Sequence, residues 1–245
     1  MLNKEYILEC LNKYCVFDDE LCAGNFEEKI ITPLKNAKCF NDWTFDSGLS
    51  KGVLIFGELD YVIKIPFSAE WIEEDEYFYE TEDGTTEYET CGGCPGDLFC
   101  GVEVEGYSKR NSWDYCETEE LRYLVAKKNG LAEHFAEIVF LGEAGGWPIY
   151  CQARACMFNS DASTLSRINR TYTENDRKSV ETIQKETGMY LNNEWLLDFL
   201  IFYGNERLFD FLRFCDEQKI SDLHDGNIGY INGIPCLVDY SSYEV

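Results

Sequence analysis

The sequence predicts an α+β fold, and three observations carry that expectation. Apolar strand-like runs at 53–57 and 61–65 are joined by the short turn Gly57-Glu58-Leu59-Asp60. Helical periodicity dominates from about residue 173 to 218. The chain then closes on two apolar runs, 228–231 and 235–238, separated by Asn232-Gly233. Asn-Gly between apolar runs is the strongest short hairpin signal, because both central positions of the turn need positive φ. Strands and helices are thus segregated along the chain rather than alternating, which is the α+β pattern.

Taken in order, residues 1–42 read as a helical extension, with Ile7, Leu8, Leu11 and Cys15 at helical spacing and an irregular stretch up to Trp43. A β-rich unit follows over 43–153, and Pro66 ends its second strand. Residues 68–115 are rich in Glu, Asp, Gly and Thr and read as an exposed acidic insertion, more loop than structure. Thr118–Lys128 is the next helix, with Leu121, Leu124 and Val125 as its apolar stripe and Gly130 as its C-cap. Strands at 136–141 and 148–152 flank the Gly145-Gly146 turn. Residues 154–245 form the helical unit. Thr173-Glu174-Asn175-Asp176 has the form of a capping box, 193–203 is apolar nearly all round, and 206–218 carries Leu208, Phe211, Leu212 and Cys215 on one face.

Composition bounds the function. The chain has 245 residues, a net charge of −25 and 45% hydrophobic residues, enough to bury a proper core. So acidic a surface repels nucleic-acid backbones and anionic membranes, and neither is an expected partner. Met1-Leu2-Asn3-Lys4-Glu5 lacks the apolar stretch of a secretion signal, so a cytoplasmic location is expected, with the twelve cysteines reduced. Cys91-Gly-Gly-Cys94 has zinc-ligand spacing that Cys100 and Cys116 could complete, but a second such pair is missing and a structural zinc is the lesser expectation.

Chemistry concentrates near the C-terminal hairpin. Phosphoryl transfer needs a carboxylate to orient the acceptor hydroxyl, and an amide plus a second carboxylate to hold magnesium on the phosphates. Asp222 and Asn227 lie on the loop that enters the hairpin, and antiparallel pairing returns Asp239 beside Asn227. The stretch Asp222-Leu-His-Asp-Gly-Asn227 followed by Val238-Asp239 resembles the protein-kinase-like superfamily, especially its aminoglycoside and choline phosphotransferase branch. The resemblance implies a bilobal fold with a small antiparallel β lobe and a reduced helical lobe. It also implies Asp222 as catalytic base, Asn227 and Asp239 as magnesium ligands, and His224 near the transferred phosphate.

Lys64 in Tyr61-Val-Ile-Lys64-Ile resembles the family's phosphate-binding lysine, which pairs with a glutamate of the next helix; Glu117, Glu119 and Glu120 are candidates and Glu120 is the expected one. Gly48 and Gly52 would let the backbone approach phosphates, and Gln152, Ala153 and Arg154 would form the hinge that meets an adenine. Six residues follow Asp239, so the resemblance is to a minimal form without a peptide-docking platform. The expected function is ATP- and magnesium-dependent phosphate transfer to a small-molecule or protein acceptor. The alternatives are a nucleotide-binding pseudokinase or an acidic interaction module.

Overall fold

A computed structural model describes residues 3–48, 50–68, 70–80, 86–91, 100–108, 113–158, 172–189, 191 and 194–241, with backbone alone for those between 70 and 114. The chain runs α1 (Lys4–Tyr14), a π-helical turn (Glu27–Ile31), α2 (Thr32–Asn36), β1 (Trp43–Ser47), β2 (Lys51–Phe56) and β3 (Tyr61–Pro66). It continues through β4 (Glu70–Glu80), β5 (Thr86–Cys91), β6 (Cys100–Ser108), α3 (Trp113–Lys128), β7 (Ile138–Ala144), β8 (Trp147–Ala153) and β9 (Cys156–Met157). Helices α4 (Glu174–Thr187), α5 (Trp195–Tyr203) and α6 (Asn205–Glu217) precede the closing strands β10 (Ile228–Ile231) and β11 (Ile234–Leu237). The fold is α+β, built on a five-stranded antiparallel sheet in the order β1-β2-β3-β8-β7.

That sheet has two unlike faces because its strands alternate. On β2 and β3, Leu54, Phe56, Ile63 and Ile65 point to one side and are fully buried. What covers them is the N-terminal segment: Ile7, Leu11, Leu21, Phe26, Ile30, Ile31 and Leu34 belong to the same apolar cluster. The described residues 3–42 thus pack on this face of the sheet as the second layer of its core. The stretch read as irregular contains the π-helical turn and α2, anchored by buried Ile30, Ile31 and Leu34. Its helices are too short for periodicity to reveal. Asn3 caps α1 by accepting a hydrogen bond from Tyr6 N at 2.8 Å.

A second apolar cluster gathers α4, α5 and α6 around Trp195, Phe199, Leu208, Phe211 and Leu212. Thr173 and Asp176 form the expected capping box at the start of α4. Helix α3 contributes Cys116, Tyr123 and Ala126 to this cluster, while Leu121, Leu124 and Val125 are exposed. The expected apolar stripe thus faces outward, and the buried face is the neighbouring one, at positions 116, 119, 123 and 126. The hairpin turns at Asn232 and Gly233, with φ of 53° and 80°, as the dipeptide demands.

The acidic insertion is ordered as a three-stranded antiparallel sheet, β5-β4-β6, rather than as a loop. Its strands were hidden by their acidic composition, which propensity disfavours. Within it, β5 and β6 lie on opposite edges of β4, so Cys91 and Cys100 are separated by two inter-strand spacings, roughly 10 Å. Cys94 lies outside the described residues. Cys116 is enclosed in the helical core, where burial pushes its thiol up to about 12. The nine cysteines whose side chains are described are free thiols.

Candidate functional site

The other face of the five-stranded sheet is charged. Strand alternation places Lys51, Val53 and Ile55 of β2 beside Val62 and Lys64 of β3, all lining one cleft of about 470 Å³. Register sets Val53 opposite Lys64, so the two lysines sit on adjoining strands of the same face. Both are only 4% exposed. Burying an ammonium costs several kcal/mol unless it is paired and hydrogen-bonded, and both are. Lys64 Nζ donates to Glu119 Oε2 at 2.7 Å and to the Val238 carbonyl at 3.0 Å. Lys51 Nζ donates to Glu119 Oε1 at 2.5 Å and to Asp239 Oδ1 at 2.8 Å.

Glu119, not Glu120, is therefore the partner of Lys64. One residue along a helix is a rotation of about 100°, and the buried face of α3 passes through 119. Glu120 turns away and accepts a hydrogen bond from Phe140 N at 2.8 Å, which ties α3 to β7. Glu117 is exposed. Burial raises the Glu119 carboxyl above the usual carboxylate range, a rise that the two ammonium groups oppose. Partial burial raises the half-exposed Asp239 too, but Lys51 and Lys64 hold it well below that range. Burial pulls Lys51 down, and Glu119 and Asp239 more than reverse it, leaving a firmly charged ammonium.

The hairpin supplies the opposite wall. Val238 N donates to the Asn227 carbonyl at 2.8 Å, which extends the β10–β11 ladder by one pair and brings Asn227 and Asp239 to the same end of the cleft. Arg122 fixes the strand that leaves it by donating to the carbonyls of Tyr240, at 2.6 Å, and Ser241. Asn227 is buried, and its side-chain nitrogen donates to Asp222 at the carbonyl (2.9 Å) and at Oδ2 (3.1 Å). With its nitrogen committed, the amide oxygen of Asn227 is the side-chain atom still able to accept, and Asn227 and Asp239 line the same cleft.

His224 does not line the cleft. Its Nδ1 accepts from Gly226 N at 3.0 Å, which assigns any proton of the neutral ring to Nε2, 3.3 Å from Asp222 Oδ1. The expected place beside a transferred phosphate is thus replaced by a brace on Asp222. Gly226 is required for it, since a Cβ there would lie 2.7 Å from the ring.

Of the two glycines proposed for phosphate approach, Gly48 lines the cleft and Gly52 does not. Gly52 faces the apolar core, where a Cβ would meet the Phe26 ring at 2.2 Å. Its neighbour Lys51 holds the cleft-facing position instead. Gln152, Ala153 and Arg154 all reach the cleft. The amides of Ala153 and Arg154 are already engaged by the carbonyls of Glu137 and Asp60, and the Arg154 guanidinium donates to the Phe56 carbonyl at 2.8 Å. These hinge residues bind the fold together first, and Ala155 and Met157 extend the lining beyond them.

A wider groove of about 760 Å³ lies between α4 and α6, lined by such residues as Lys178, Glu186 and Asp210, and holds none of the buried charges. The buried lysines line the smaller cleft. It gathers Lys64, Gly48, Gln152, Ala153, Arg154, Asn227 and Asp239, with Asp222 and His224 just behind Asn227. Sequence reasoning missed Lys51 and chose the wrong glutamate. The signal for Lys51 was present: it is in phase with Val53 and Ile55 on a strand paired with that of Lys64. Compared with known proteins, the chain matches no family model, no curated protein and no solved structure.

Proposed function

We propose that the chain is a kinase-like phosphotransferase that binds a nucleoside triphosphate and magnesium in the cleft between the five-stranded sheet and the C-terminal hairpin. The observation that carries this reading is the buried Lys64–Glu119 pair brought against the hairpin, where Lys64 meets the Val238 carbonyl, in a cleft that Lys64, Asn227 and Asp239 all line. The lysine pairs with a glutamate from the following helix, and the amide and carboxylate arrive on one hairpin, as the resemblance implies. The cleft is also polarised. Val53, Ile55, Val62 and Met157 suit a base, and Lys51, Lys64, Asn227 and Asp239 suit phosphates.

In this reading Lys64 orients the phosphates, and Glu119 holds Lys64. The Asn227 oxygen and Asp239 hold the cation, whose charge offsets that of the phosphates when it is bound. Asp222 accepts the proton of the acceptor hydroxyl as that oxygen bonds to the terminal phosphorus and the nucleoside diphosphate leaves. Asn227 and His224 aim the Asp222 carboxylate by contacting one oxygen each.

A second reading, nucleotide binding without turnover, is favoured by one contact: Lys51 sits on the carboxylate that would hold the metal. ADP release or autophosphorylation in the presence of ATP and magnesium separates the two. Turnover that falls at least a hundredfold in Asp222→Ala, with the ATP-induced rise in melting temperature intact, supports transfer. Turnover unchanged by Asp222→Ala removes the residue from the mechanism.

A further inference from the structure

Lys51 is the one buried cation of the cleft that the kinase-like resemblance does not call for. It opens β2 immediately after the turn whose residues Ser47, Gly48 and Ser50 line the same cavity, so it stands at the polar end, away from Val53 and Ile55. Its ammonium touches both carboxylates of the site, Glu119 at 2.5 Å and Asp239 at 2.8 Å. With Lys64 on the other oxygen of Glu119, two ammonium groups and two carboxylates form a cluster with no net charge.

The balance has a consequence for what can enter. A divalent cation arriving alone at Asp239 must displace or adjoin a tethered ammonium already in contact with that carboxylate, and like charges at such distances in a desolvated site repel strongly. A triphosphate arriving alone meets two fixed ammonium groups, each with two of its three N–H donors engaged and one left to give. Lys51 therefore stands where one metal ion would otherwise do its work, on the carboxylate and beside the phosphate path.

We propose that Lys51 is a second phosphate-binding cation, a tethered stand-in for a divalent metal, so that this cleft binds nucleoside triphosphate without metal and binds free metal only once phosphate has drawn Lys51 off Asp239. The proposal rests on the nucleotide-binding reading above and deepens it. Transfer chemistry still calls for magnesium; binding does not.

The test is calorimetric titration of ATP into the full chain, in EDTA and again in excess magnesium. Titration of manganese alone, followed by its paramagnetic resonance signal, completes the set. The wild-type chain should bind ATP in EDTA within about tenfold of its affinity in magnesium, and should leave free manganese unbound. Lys51→Met should lose metal-free ATP binding at least tenfold more than it loses magnesium–ATP binding, and should gain affinity for manganese alone. Lys51→Arg, which keeps the charge, should retain metal-free binding. ATP binding to the wild type that EDTA abolishes would overturn the role of Lys51 and leave the nucleotide site standing. No ATP binding in either condition would overturn both. The wild-type comparison decides even where Lys51→Met does not fold.

Discussion

Lys51 and Lys64, with their shared partner Glu119, are buried about as deeply as His134 and Asp198, yet the two lysines line a cleft and neither His134 nor Asp198 does. His134 lies in the helical core, stacked on Tyr203 with ring centroids 4.0 Å apart and on Phe211 at 5.3 Å, with Nδ1 3.3 Å from the Leu131 carbonyl. Asp198 takes the hydroxyl of Tyr172 at 2.5 Å and that of Tyr230. His134 packs among the rings of the helices, and Asp198 ties its helix to the hairpin through Tyr230. The cleft set is paired too, but its ammonium groups and Asp239 also face open space. Burial marks a polar group as costly, and what lies in front of it marks it as available.

The comparison breaks first at Glu119. Glu119→Ala removes the shared counter-ion of two buried lysines, and is expected to destabilise by about 3–5 kcal/mol and to weaken ATP binding. Urea unfolding and calorimetry read the two effects. A loss of under about 1 kcal/mol would mean that the cluster is more solvated than its geometry states.

His134 offers the next effect, on stability alone. Burial pushes its imidazole down to about 4 from the ordinary 6.5, with Arg207 adding in the same direction and the Leu131 carbonyl opposing. The unfolded chain binds the proton more readily, so this contribution is full above pH 6.5, is lost as pH falls, and levels off near pH 4. Its size is on the order of 3 kcal/mol. Between pH 7 and 4 the unfolding free energy of the wild type should fall relative to that of His134→Phe by about that amount, and parallel curves would show that His134 is protonated without penalty.

Smaller again is Asp198→Leu, which removes the carboxylate that accepts from two tyrosine hydroxyls, at about 1–3 kcal/mol in total. ATP affinity measured well below the unfolding midpoint should not change. A specific loss of ATP binding there would place the helical core in the functional site and erase the distinction.

What could be read from the sequence follows the range of the interactions. Asn227 and Asp239 were legible because the Asn232-Gly233 turn fixes the register between them over a dozen residues. Lys64 was legible as a charge inside an apolar strand. Glu119 was not, because Leu121, Leu124 and Val125 advertise a face of α3 that the fold leaves exposed. Tertiary packing chose the face carrying Cys116 and Tyr123 instead. Gly52 resembled a phosphate-loop glycine but answers to Phe26, a contact across 26 positions that no local pattern encodes. The sheet over 70–108 escaped for the opposite reason: its acidic strands carry little of the apolar alternation by which strands are recognised.

The most direct test of the whole account is calorimetric titration of magnesium–ATP into the wild type and Lys64→Met, each shown to be folded by circular dichroism. Saturable binding by the wild type, at least tenfold weaker in the variant, is the predicted result. Equal affinity in both, or no heat from either, would contradict it.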